Sequence, residues 1–199
     1  MNMSEFKNHV EALFRARLPE CFTYHNWEHT LAVYGAVREF AAYSGIVGDR
    51  LTELEAAALL HDTGYFSGRV EGHEKCSSEF AARLLPEFGV TAAATERVRR
   101  LIEATVFPYH PRTPGEEILC DADIEYLGRD CYEENAVKFR RELANIGREF
   151  SEEEWRDFQD GFLSRITFFS SAGRALRLPG LERLRQARGI SFIPGGFHA

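Results

Sequence analysis

An adjacent imidazole and carboxylate, His61-Asp62, close the apolar run Ala57-Ala58-Leu59-Leu60, and Gly64 breaks the helix just after them. Ionisable groups at the end of a buried helix need partners. Taken alone, the pair also suits a solvated helix C-terminus, where a His is favoured beside the negative end of the dipole. Elsewhere, Tyr24-His25-Asn26-Trp27-Glu28-His29 sets two imidazoles four residues apart, His25 near a helix start and His29 one turn further in. Cys120-Asp121-Ala122-Asp123-Ile124 places two aspartates in an otherwise apolar helical pattern. Asp121 can face solvent. Asp123, flanked by Ala122 and Ile124, needs a cation if it is buried. Separate helices therefore offer His29, His61 with Asp62, and Asp123. Such a nitrogen and oxygen set suits Mn, Mg, Fe, Ni or Zn rather than soft copper, as one ion or as two bridged by Asp62.

These residues need a scaffold, and the hydrophobic pattern supplies an all-α one. Helices are expected from Ser4 to about Leu18, from about His25 to Ser44, and from Asp49 into His61, the last with Thr52 and Glu55 as a capping box. A fourth helix opens at His73-Glu74 and ends near Phe88-Gly89, and Thr91 caps a fifth. A stiff loop with Pro108, Pro111 and Pro114 feeds a sixth segment, Glu116 to Gly128. A seventh helix spans about Asp130 to Arg148, with Val137, Phe139, Leu143 and Ile146 inward. Ser151 caps an eighth through Trp155, Phe158, Phe162, Ile166 and Phe169, and a final helix covers about Leu181 to Ala187. No strand-like alternation or internal repeat is present. A chain of 199 residues is long enough for one sizeable core.

Bulk composition narrows the function classes. The net charge of -7 argues against a nucleic-acid polymer as partner, though a bound cation would still permit a small phosphorylated substrate. Cys21, Cys76, Cys120 and Cys131 form no Cys-x-x-Cys pair, and Met1 to Val10 lacks a secretory core segment. A cytoplasmic protein with reduced thiols is the expectation, with no membrane involvement. The Phe-rich later helices raise a homodimer.

The ordered set of His29, His61-Asp62 and Asp123 resembles the HD superfamily of metal-dependent phosphohydrolases, with its H…HD…D signature. The resemblance covers roughly Tyr24 to Arg129. Three motifs strengthen it: Tyr-His-Asn-x-x-His, Leu-Leu-His-Asp-x-Gly-Tyr, and Asp-Ala-Asp before Leu-Gly. It implies a single-domain helical bundle with an HD core of about 22–130, C-terminal helices at about 130–188 and a tail over 189–199. His29, His61, Asp62 and Asp123 would be the metal ligands; Asp123 is chosen over Asp121 because family members with one aspartate there keep the one following Ala. The implied activity is cleavage of a phosphate ester or anhydride of a small molecule, a nucleotide being the first choice, by metal-activated water. The cyclic-nucleotide phosphodiesterases look like distant relatives, and their use of the same motif makes His25 a candidate general acid. His73, Arg69, Lys75, His110 and Arg112 are candidate phosphate contacts. Two alternatives stand: a non-catalytic nucleotide-sensing module, and an HD-type di-iron oxygenase using His73 and His110 as added ligands.

Overall fold

The computed structural model describes residues 1–194, and the last five residues of the expected tail lie outside them. Among the described residues there are α-helices and short 3-10 turns but no strand, so the chain is all-α. The first core is built by α1 (Met3–Arg17), α2 (Trp27–Tyr43), α3 (Asp49–Leu60), α4 (His73–Leu84), α5 (Ala92–Glu103) and α6 (Pro114–Asp123). Helix α3 is its axis. Every residue from Leu54 to Leu60 is buried, so α3 is covered on all sides, and the small side chains of Ala56, Ala57 and Ala58 let its neighbours approach closely.

A second cluster begins where the first ends. Ile124 and Leu127 pack with α7 (Tyr132–Asn145), α8 (Glu152–Leu163) and α10 (Leu178–Arg188), with short α9 (Ser171–Leu176) between. Arg177, buried at the junction of α9 and α10, ties the two halves together: its guanidinium meets Glu39 of α2 and Glu125. Buried Arg185 of α10 donates to the carbonyls of Leu163 and Ile166, groups left without helical partners where α8 ends.

Several boundaries differ from expectation. The cap of α1 is Asn2, which accepts from the Ser4 and Glu5 amides. Helix α3 starts at Asp49 after Gly48, so Thr52 lies inside it and bonds back to the Gly48 carbonyl rather than forming a capping box with Glu55. Helix α8 has the capping box Ser151/Glu154 but stops at Leu163. Ile166 and Phe169 fall beyond it because the next segment is held elsewhere: buried Asp121 accepts from the Phe169 and Ser170 amides at 2.7 and 2.8 Å and from the Ser170 hydroxyl at 2.6 Å. Ser170 then caps α9, a helix not expected, and Pro179 in the first turn lets α10 begin at Leu178. Val137 of α7 is exposed, and so is Ile146, which lies just past the helix end rather than on its inward stripe. In the tail, the Ile193 amide donates to the Ser164 carbonyl at 2.8 Å, so this part lies on its own chain.

Candidate metal centre and the cavity beside it

Helix ends deliver the ligands. Asn26 caps α2 by accepting from the Glu28 and His29 amides at 2.8 and 3.2 Å. His29 therefore sits in the first turn and His25 just ahead of the helix, rather than both within it. His61 follows the last residue of α3 and donates from Nδ1 to the Ala58 carbonyl at 2.9 Å. That bond fixes the tautomer of the neutral ring and leaves Nε2 as a lone-pair donor. Gly64 then packs against α4: a Cβ there would stand 2.0 Å from the His73 carbonyl oxygen. The Gly64 amide also donates to Ser77 at 2.7 Å. Only glycine lets the His-Asp turn approach the start of α4 this closely.

Asp123 is the last residue of α6, and Asp121, two residues earlier, points away as the helical period requires. The Nε2 atoms of His29 and His61 are 3.4 Å apart. Asp123 Oδ1 lies 3.1 Å from the first and 3.4 Å from the second, and Tyr109 of the Pro-rich loop donates to Oδ2 at 2.9 Å. Asp62 Oδ2 lies 3.3 Å from His61 Nε2 and 3.5 Å from His29 Nε2. It is buried yet accepts no hydrogen bond. A stranded carboxylate oxygen beside two converging imidazole nitrogens fits a divalent cation. The donor atoms of His29, His61 and Asp123 lie within 4.8 Å of one another.

The electrostatics agree. Burial works against charge on His61, Asp62 and Asp123, yet attraction between ring and carboxylates outweighs it. His61 is raised well above the ordinary imidazole range, and both carboxyls are held below theirs. A proton on His61 and a cation at the centre answer the same excess of negative charge, so the two compete.

His73 Nδ1 donates to the Val70 carbonyl at 2.9 Å, which leaves Nε2 facing Asp62 Oδ1 at 3.6 Å. The two oxygens of Asp62 thus face different imidazoles. On the other flank, His25 hydrogen-bonds through Nδ1 to Glu142 Oε1, while Glu142 Oε2 accepts from the Tyr24 and His25 amides at 2.8 and 2.9 Å. Burial opposes protonation of His25, but the Glu142 bond and the nearby carboxylates raise its pKa above the usual range. His25 stacks on Tyr65 and Tyr65 on His73, with centroids 4.6 and 4.1 Å apart.

His25, Asp62, His73 and Asp123 all line one cavity of about 350 Å³, whose remaining wall is rich in aromatic rings, some from α7 and α8 and others, Tyr24, Tyr65, Phe107, Tyr109 and Tyr126, from the segments around the His-Asp centre. Arg69, Lys75, His110 and Arg112 are exposed and do not line it; the cation that does is Arg148. Sequence reading missed Glu142 and Tyr109. The signal for Glu142 was present: it falls on the α7 stripe, three residues after Phe139 and next to Leu143, where a charge needs a partner.

A family model described as HD domain matches residues 26–125, half of the chain. The chain belongs to the HD domain family. This is the metal-dependent phosphohydrolase family that the motifs resembled. Two solved structures share the fold. One is a predicted HD superfamily hydrolase from an uncultured Thermotogales bacterium, 18% identical with a TM-score of 0.60. The other is Bacillus subtilis YpgQ in complex with ADP, 17% identical with a TM-score of 0.62. Each comparison covers 95% of this chain and 98% of the other. None of the curated proteins matches it. Among the described residues no helix is long and apolar enough to cross a membrane.

Proposed function

We propose that this HD-domain protein hydrolyses a phosphate ester or anhydride of a small molecule, a nucleotide first among candidates. The observation that carries the reading is the convergence of His29, His61, Asp62 and Asp123 at one end of a cavity of ligand size, with His25 on the same cavity wall. These four residues would hold the metal. A divalent cation there supplies charge neutralisation for phosphoryl oxygens and acidifies water near neutral pH. The chain's own groups do the rest. His25, protonated and held by Glu142, gives its proton to the leaving oxygen. Tyr109 orients Asp123, and His73 would contact a phosphoryl oxygen or help hold a second ion beside Asp62. Arg69, Lys75, His110 and Arg112 receive no role.

YpgQ's complex with ADP supports the choice of a nucleotide. His73 beside Asp62 also keeps the di-iron oxygenase reading in view. The sensing module is disfavoured by the complete ligand set. In this reading the protein is cytoplasmic, with its four cysteines free. The HD core of about 22–130 supplies the ligands and the C-terminal helices the facing wall; a homodimer is part of the same proposal.

The test is phosphate release from nucleoside mono-, di- and triphosphates and cyclic nucleotides, with Mn²⁺ and with chelator. Release from at least one class that stops with chelator is expected. Release that persists with chelator overturns the reading. No release at all, with nucleotide binding retained, would favour the sensing module.

A further inference from the structure

A second cavity, of about 190 Å³, also reaches the His-Asp centre, between α2, the turn after α6, and α7. Tyr24, Asp123 and Tyr126 line both cavities and so form the partition between them. His29 lines only the smaller one; His25, Asp62 and His73 line only the larger. The proposed ligands are thus shared between two openings. The outer end of the smaller cavity is ionic. Glu28 of α2 and Glu134 of α7 are exposed there, and Lys138 Nζ lies 3.2 Å from the first and 2.9 Å from the second. Glu125 also lines this cavity, but it is buried and already paired with Arg177 and Arg129, so the free charge at the mouth belongs to Glu28 and Glu134. The proposed reaction uses none of Glu28, Glu134 and Lys138.

We infer that the smaller cavity is the passage by which the metal ion enters and leaves the centre, separate from the cavity that takes the substrate, with Glu28 and Glu134 as its attracting mouth and Lys138 as a displaceable plug. The inference rests on the proposed metal-dependent hydrolysis and adds the route of the ion. Chemistry divides the two openings. Hard divalent ions prefer oxygen ligands and keep their water until such oxygens replace it. Carboxylates at a narrow mouth concentrate cations and speed their arrival. The larger cavity offers aromatic rings, Arg148 and the His25 imidazole instead, and a bound substrate closes it. Exposed ion pairs are weak, so Lys138 covers the mouth only until a dication displaces it. At the inner end stand His29 and Asp123. Asp62 Oδ2, which accepts no hydrogen bond, lies 3.5 Å from His29 Nε2. An ion exchanged by this route turns over whether or not the larger cavity is filled.

The test is Mn²⁺ exchange in the full chain, with no substrate present. Loading is followed by loss of the free-ion electron paramagnetic resonance signal, release by a chelator chase, and affinity by titration. Ala32, exposed on α2, lines the passage. Ala32→Trp should slow loading and release by the same factor and leave affinity unchanged, because a narrowed passage alters both rates and no equilibrium. Glu28→Gln with Glu134→Gln should slow loading roughly tenfold and flatten its dependence on salt, and Lys138→Met should speed it. Ile146→Trp, at the exposed rim of the larger cavity, should change neither rate. If Ala32→Trp does not fold by circular dichroism, alkylation of Cys131 decides: it lines the same passage, Cys120 is buried, and Cys21 and Cys76 are first replaced by Ser. Wild-type rates in the folded Ala32→Trp variant or the alkylated protein, or exchange slowed by Ile146→Trp alone, overturn the inference. Affinity lost in both blocked forms with unequal changes in the two rates places their effect on the ligands and overturns it too. Slowed exchange without phosphate release from any nucleotide sinks the hydrolase reading alone. Phosphate release with exchange indifferent to the passage sinks this inference alone.

Discussion

Replacing Glu142 by Gln probes the group behind the candidate general acid. Glu142 accepts from His25 Nδ1 and from the Tyr24 and His25 amides. Glutamine keeps an oxygen for the amides but turns an N–H₂ toward Nδ1, which then has to accept and so remains unprotonated. The pKa-raising effect of Asp62 and Asp123 on His25 is cancelled once a cation neutralises them; that of Glu142 is not. A hydrogen bond to a charged group contributes about 1.5–3 kcal/mol. At about 1.4 kcal/mol per tenfold, its loss lowers the imidazolium-to-imidazole ratio roughly 10- to 150-fold at a given pH. The assay is the pH profile of kcat for phosphate release, beside metal content. The alkaline limb should move toward acid, with kcat above neutrality down by roughly that factor, at or below the lower end of the roughly 10²–10⁴ that general acids contribute, and metal content unchanged. The pair also sets a stability window. His25 is raised, so its contribution is present in full below the ordinary imidazole pKa and lost as pH rises through the folded value. Glu142 is depressed, so its contribution is present above the ordinary carboxyl pKa and lost as pH falls through the folded value. The stability gap between wild type and E142Q is therefore widest between about pH 4.5 and 6.5. An unmoved alkaline limb at wild-type metal content would refute the assignment of His25.

Two further predictions concern the centre itself. With His61 raised and the carboxyls depressed, binding of a divalent ion at pH 7 should release protons and weaken as pH falls. Calorimetry of Mn²⁺ binding in buffers of differing ionisation enthalpy reads the proton count, and a buffer-independent heat contradicts the competition described above. Gly64→Ala drives a Cβ into the His73 carbonyl. Overpacking of this kind costs about 1–3 kcal/mol, or roughly 2–12 °C in Tm for a chain this long. It should also lower Mn²⁺ affinity by shifting Asp62, whereas an unchanged Tm would show that the turn is looser than its geometry implies.

Much of the fold was legible because helix signals are local. Thr91 caps α5 and Ser151 caps α8 as their sequences suggest, and the apolar stripes of α1 to α6 meet in one core. Failures occurred where a distant group decided the outcome. Helix α8 stops at Leu163, followed by a segment whose end is held by Asp121, 48 residues upstream. The site divides in the same way. His29, His61, Asp62 and Asp123 stood out because polar groups at the ends of apolar helices are locally anomalous. Glu142 reaches His25 across 117 residues, and no periodicity links those positions. Arg69, Lys75 and Arg112 were attractive because they lie in or beside loops that adjoin the motif in sequence, but side chains on loops and on the outer face of a helix follow solvent, and all three are exposed. The aromatics of α7 and α8 read as core, and some of them line the cavity instead; a stripe facing a void and a stripe facing a neighbour have the same spacing.

The central claim, metal-dependent hydrolysis at the His-Asp centre, is met most directly by one paired measurement on wild type and Asp62→Ala. Bound metal is counted and phosphate release from the best nucleotide substrate is recorded on the same samples. The account predicts that the variant, folded by circular dichroism, loses the ion and releases phosphate at least 10²-fold more slowly. A variant that lacks metal yet turns over at the wild-type rate would contradict it.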